Sequence, residues 1–198
     1  MLKEIDIDLD YNAIVEEYYK LDIDKLLNDK VHDLKQVALQ CRKETPYEEQ
    51  LTESCGSLYF DWVAYEQNPV GPVPIRKVDE NGYPSLKEKD FNITCNIFQN
   101  TIFDSIIAKL KEKNINATRG RFMLMMHKTC LTVHADPSPR LHIPIYTNDN
   151  CMMIFGEKVI KLPFGKTYYV DTTIPHTALN ASKDPRVHLI FSVEEINI

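Results

Sequence analysis

The sequence has no apolar run long enough to span a bilayer, no cluster of lysine and arginine, and no CxxC pair. The first absence leaves no candidate membrane helix. The second, with a formal net charge of −6, argues against a nucleic-acid partner, because a phosphate backbone is met by a basic surplus or stripe. The third excludes a thiolate zinc site. The five cysteines (Cys41, Cys55, Cys95, Cys130 and Cys151) are widely spaced and odd in number, which speaks against a disulfide framework and fits a reducing, cytoplasmic setting. The opening stretch, MLKEIDIDLDYN, alternates apolar and acidic residues and lacks the basic start and unbroken apolar segment of a secretory signal.

What is present is enough for one core. A chain of 198 residues, 43% of them hydrophobic, buries one good domain and is too short for two of full size. Residues 1–90 read as an N-terminal extension packed on a core formed by 91–198. Within the extension, Ile14, Val15, Tyr18, Tyr19, Leu26, Leu27, Leu34, Val37, Ala38 and Cys41 recur roughly at helical spacing, so one or two amphipathic helices are expected between residues 11 and 42. Residues 45–90 are punctuated by Pro46, Pro69, Pro72, Pro74 and Pro84 around a short aromatic run at 58–63, and read as loops around isolated strands, either a lid or an ordinary connection. A further helix is expected over 98–113, where Ile102, Phe103, Ile106, Ile107 and Leu110 form a stripe. After Arg119 the pattern switches to short β-rich runs separated by turn residues. Many such strands imply a mainly β fold with flanking helices, a small antiparallel barrel or jelly roll.

The chemistry-bearing residues lie in this second half. His134 and Asp136 have the same parity, so in extended backbone an imidazole and a carboxylate stand side by side. Alone the pair is weak, since it arises readily by chance among six histidines. His176, following a β-run, offers a third ligand. Two imidazoles and one carboxylate occupy one face of a metal and leave the other face open, a donor set suited to non-haem iron(II). Arg186 begins a strand in which His188 and Ile190 share its face, while Val187, Leu189, Phe191 and Val193 form an apolar one. A guanidinium in such a strand needs an anion, and a bidentate carboxylate ligand would supply it. Arg140 and His142 likewise share a face opposite Leu141, Ile143 and Ile145, which points to a polar cavity. His127 and His188, both in β-runs, read as satisfied barrel histidines, and His32 as part of a helical stretch.

Arg119-Gly-Arg-Phe-Met, His134-Ala-Asp136, Arg140-Leu-His142-Ile-Pro and His176-x₉-Arg186, in this order and spacing, resemble the aspartyl/asparaginyl β-hydroxylase branch of the 2-oxoglutarate- and iron(II)-dependent oxygenases, over residues 118–193. The resemblance implies a double-stranded β-helix, iron on His134, Asp136 and His176, and the distal carboxylate of 2-oxoglutarate on Arg186. It also implies that Arg140 and His142 bind co-substrate or an acidic substrate group, with Thr129 or a tyrosine assisting Arg186. The expected activity is O₂-dependent hydroxylation of a free amino acid or of a side chain in a peptide or protein. Retention of Asp136 disfavours halogenation, for which related enzymes leave that position open. The rival reading is a cupin-like metal-binding module or non-oxidative metalloenzyme on the same barrel, although the usual His-x-His pair followed shortly by Glu is absent.

Overall fold

The computed structural model describes residues 2–27, 34–58, 78, 80 and 85–194. Among the described residues three α-helices are formed: α1 (Tyr11–Lys20), α2 (Ile23–Leu26) and α3 (Ile102–Glu112). Asp10 caps α1 by accepting from the Ala13 amide at 3.0 Å, and Thr101 caps α3 by accepting from the Phe103 amide at 3.2 Å. Asn114, at φ 59°, turns the chain out of α3 in the left-handed conformation that ends helices. Among the described residues no helix is long and apolar enough to cross a membrane.

The described residues form twelve strands, in chain order β1 (Leu2–Ile5), β2 (Leu34–Ala38), β3 (Gln40–Cys41), β4 (Ile93–Thr94), β5 (Ala117–Met125), β6 (Thr129–Cys130), β7 (Arg140–Tyr146), β8 (Cys151–Phe155), β9 (Lys158–Ile160), β10 (Thr167–Val170), β11 (Thr177–Asn180) and β12 (Arg186–Val193). They form a six-stranded sheet in the order β1-β10-β7-β12-β5-β2, a four-stranded sheet β6-β11-β8-β9, and the β3-β4 pair. Every pairing is antiparallel, and the two main sheets make the jelly roll.

The two faces of the large sheet do different work. Outward, Val37, Phe122, Leu124, Leu141, Ile143, Leu189 and Phe191 pack against Ile14 and Tyr18 of α1 and Phe103, Ile106 and Leu110 of α3. Burying each such side chain contributes about 1.5–3 kcal/mol, so this layer dominates stability. Inward, a smaller cluster of Met125, Met153, Phe155, Leu162, Tyr168, Val170 and Ala178 shares the barrel with buried polar groups. Alternation along β7 and β12 produces this split: Arg140 and His142, Arg186 and His188, point to the interior side.

The helical reading of residues 34–41 is corrected. Leu34, Val37 and Ala38 belong to β2, which pairs with β5, and Cys41 to β3. Both sides of this segment are buried, Val37 in the outer core and Gln36 towards Arg121, so apolar residues accumulate without strict alternation and imitate helical spacing. The first ninety residues therefore supply both edge strands of the main sheet, β1 and β2. The aromatic run beyond Leu58, and His32, lie outside the described residues.

Gly120, in β5, marks a close approach to the outer core. A Cβ there would stand 2.6 Å from Cε1 of Phe191, a fully buried ring, and 3.1 Å from Oε1 of Gln40. Gly120→Ala is expected to cost about 2 kcal/mol by overpacking. Urea denaturation reads this directly, and an unchanged midpoint would show that Phe191 has room to shift.

Candidate metal centre

The β-run expected across residues 121–136 is broken. β5 ends at Met125, Lys128 turns with φ 56°, and the chain passes through β6 before running extended past His134. His127 consequently sits exposed on the turn rather than in the barrel, a correction that the positive φ of Lys128 explains.

His134 and His176 form an isolated antiparallel bridge, each amide donating to the other's carbonyl, at 2.9 and 2.8 Å. Asp136 is tied one step further along by its amide, which donates to Thr172 O at 2.8 Å. Backbone pairing thus brings the three side chains together, and their ligand atoms lie within 4.8 Å of one another, the one such group of three among the described residues.

The imidazoles are oriented by the same device. His134 Nδ1 lies 2.8 Å from Thr132 O and His176 Nδ1 3.0 Å from Ile174 O. A carbonyl only accepts, so each Nδ1 carries the proton and each Nε2 presents a lone pair. The His176 ring stacks on Phe155 at 5.2 Å. Burial lowers the His176 pKa, favouring the neutral form that binds metals. The Asp136 carboxylate is divided: Oδ1 lies 3.0 Å from Arg140 Nη2, and Oδ2 faces His176 Nε2 at 4.0 Å. Two imidazoles presenting Nε2 and one carboxylate, without a further protein ligand among the described residues, fit iron(II) with open coordination positions.

Arg140 is held from its other side by Glu88, in the 3₁₀ turn Glu88–Asp90. Its Nη1 and Nη2 donate to the two Glu88 carboxylate oxygens at 2.9 and 2.8 Å, and Nη1 also donates to the hydroxyls of Ser138 and Ser192. Arg119 Nη1 donates to the same carboxylate at 2.7 Å. Burial would push the Glu88 carboxyl up, but Arg140, Arg119 and the Ser138 hydroxyl outweigh it and bring the pKa down to about 2. Nothing in the spacing of Glu88 signalled this role.

Arg186 opens β12 with its side chain buried, its Nε without a hydrogen-bond partner, and no carboxylate paired with it among the described residues. Burial pulls its pKa down to about 10, which leaves it a cation at neutral pH. It borders a shallow recess lined also by Thr147, Cys151, Met152, Met153, Ile160, Leu162 and His188. Thr147, not Thr129, is the hydroxyl on this recess; Thr129 donates to Met126 O. Behind it, His142 and His188 meet Nδ1 to Nδ1 at 3.3 Å, and neither Nε2 has a partner, so His188 is only half satisfied. Burial, then the nearby Arg186, lowers both pKa values well below the usual range, and both rings are neutral. Asn180 fixes where β12 begins: its side-chain amide donates to Met125 O, Met126 O and Asp184 O, while its oxygen accepts from Ser182.

Over 80 residues the chain is 29% identical to the L-proline cis-4-hydroxylase of Rhizobium meliloti (strain 1021), a match covering 37% of this chain and 29% of that protein's length. Among solved structures, IDO from Bacillus thuringiensis superposes with a TM-score of 0.50 at 11% identity, covering 98% of this chain and 90% of that one. The viral collagen prolyl hydroxylase of Paramecium Bursaria Chlorella virus-1 gives 0.49 at 10% identity, over 98% and 96%. The model of the aspartyl/asparaginyl beta-hydroxylase family matches residues 75–195, well over half of the chain, and the protein belongs to that family.

Proposed function

We propose that the protein is an iron(II)- and 2-oxoglutarate-dependent dioxygenase that hydroxylates an amino acid, free or as a side chain in a peptide or protein. The observation that carries this reading is the pair of Nδ1-anchored histidines converging with Asp136. Against a simple binding module stands Arg186, a buried cation with no anion of its own among the described residues, an arrangement that costs stability unless a ligand supplies one.

Iron(II), with 2-oxoglutarate and O₂, supplies when bound the oxidising power that inserts oxygen into an unactivated C–H bond. The chain's share is binding, orientation and exclusion of water. His134 and His176 offer Nε2, and Asp136 offers Oδ2. Arg186 pairs with the distal carboxylate of 2-oxoglutarate, with the Thr147 hydroxyl beside it. His142 and His188 keep both Nε2 atoms without a partner: one ring donates to the other through Nδ1, so the pair offers one donor and one acceptor to the co-substrate. Arg140, expected to bind co-substrate or an acidic substrate group, is assigned instead to holding Asp136. Phe155, Met153 and Leu162 keep the interior dry. On this reading residues 91–198 form the catalytic core, and residues 1–90 contribute edge strands and Glu88. The L-proline activity of the Rhizobium relative supports a free amino acid, and five free thiols support a reducing, cytoplasmic setting.

The test is succinate formation from 2-oxoglutarate with iron(II), together with the weak visible charge-transfer band expected when 2-oxoglutarate joins the anaerobic iron protein. Absence of both rejects the function. Arg186→Ala is expected to weaken 2-oxoglutarate binding by about 10–100-fold, the worth of a charge-assisted bidentate contact. Titrating the band measures it, and an unaltered affinity would remove Arg186 from the role.

A further inference from the structure

Strands β5, β7 and β12 carry four buried guanidinium groups, those of Arg119, Arg121, Arg140 and Arg186, each at most 5% exposed. Two are matched by the chain itself: Glu88 pairs with Arg119 and Arg140, and Asp136 with Arg140. Arg186 is assigned above to the co-substrate. Arg121 remains. Its Nη1 donates to Gln36 Oε1 at 3.0 Å, its Nε has no partner, and no carboxylate among the described residues forms an ion pair with it. Gln36 is neutral, and its oxygen also accepts from the Gly56 amide. A buried cation whose one side-chain hydrogen bond among the described residues goes to a shared amide oxygen is an expensive arrangement unless an anion arrives to complete it.

Its position says where that anion would be. Arg121 and His142 both face Ile190, from opposite sides, in the β5-β12-β7 ladder. They lie two strands apart on the interior side, a Cα separation of about 10 Å. Arg140, Glu88 and Asp136 are close enough to act on the charge of Arg121, but Glu88 is already paired with Arg119 and Arg140, and Asp136 with Arg140. Arg140, the residue the sequence offered for an acidic substrate group, has no capacity left: both its terminal nitrogens are engaged by Glu88, and further by Ser138, Ser192 and Asp136.

We propose that Arg121 is the seat of a carboxylate on the primary substrate, either the α-carboxylate of a free amino acid or an acidic side chain. The proposal rests on the dioxygenase reading. It makes Arg121 a specificity determinant separate from the co-substrate anchor Arg186.

The experiment uses the full chain, anaerobically, with iron(II) and 2-oxoglutarate. L-Proline, L-aspartate and the other common free L-amino acids are titrated calorimetrically, each beside its carboxamide, into wild type, Arg121→Gln and Arg121→Met. At least one carboxylate is expected to bind wild type. Replacing the responsible carboxylate by its amide, or Arg121 by either residue, should weaken that binding about 100-fold, while the 2-oxoglutarate band persists in both variants. The amide arm needs no variant and so stands even if Arg121 is required for folding. The proposal is overturned if the amide or a folded variant binds as the wild type binds the carboxylate, if no carboxylate binds wild-type protein that shows the band, or if the variants lose the band. Wild-type protein without the band takes the dioxygenase reading down first, and this proposal with it.

Discussion

His176→Ala is expected to leave a folded protein that no longer retains iron(II) and no longer turns over. His176 is the most buried of the three candidate ligands; its ring lies against Phe155 and its Nδ1 is spent on Ile174 O, so its free Nε2 has no role in the protein other than to meet a ligand. Alterations one step outside a metal's ligands typically cost 10–100-fold in affinity, and loss of a ligand itself should exceed about 100-fold. The backbone bridge to His134 does not involve the ring and survives the substitution. Iron content after gel filtration, read alongside circular dichroism, gives the result. A His176→Ala protein that keeps one iron per chain would mean that the metal lies elsewhere.

Removing Glu88 should cost more stability than removing any single surface charge. Glu88→Ala leaves Arg119 and Arg140 buried without their shared carboxylate, and breaking a buried pair from one side costs about 3–5 kcal/mol. It also frees Arg140 to close on Asp136, where it competes with the metal, so iron affinity should fall by about 10–100-fold. The pH dependence carries a sign. A carboxyl held at about 2 in the folded chain, against an ordinary 4.5, contributes stability that is fully present above pH 4.5 and is lost as the pH falls towards 2. A shift of that size corresponds to about 3 kcal/mol. Urea denaturation of wild type and Glu88→Gln should therefore show a gap at pH 6 that closes progressively below pH 4.5. A constant gap across that range would assign the loss to packing rather than charge.

The convergence of His134, Asp136 and His176 and the burial of Arg186 were legible because these residues lie on extended backbone, where parity and spacing translate directly into position. The interior facing of Arg140 and His142 was legible for the same reason, from the alternation of β7 against Leu141, Ile143 and Ile145. What Arg140 touches was not. Its main partner, Glu88, is 52 residues away in a short 3₁₀ turn after a proline-rich stretch that has no periodicity to read. Arg121 could be quoted as part of a motif, but that no carboxylate among the described residues forms an ion pair with it emerges only from their placement. Residues 34–41 misled because burial on both faces erases the two-residue rhythm of a strand. His127 misled because one left-handed residue, Lys128, interrupts an otherwise continuous β-rich run.

The reciprocal amide bonds between His134 and His176 bear on how the protein acquires its metal. These residues are 42 positions apart, and the bridge closes that loop through backbone hydrogen bonds alone. The ordering entropy of bringing the ligands together is thus already met by folding, and little conformational freedom remains for the ion to remove. Loading should accordingly be a simple encounter with a rigid claw, single-exponential and first order in iron, without a slow rearrangement. Chelation should empty the site and leave the jelly roll standing, in contrast to small zinc modules that unfold with their metal.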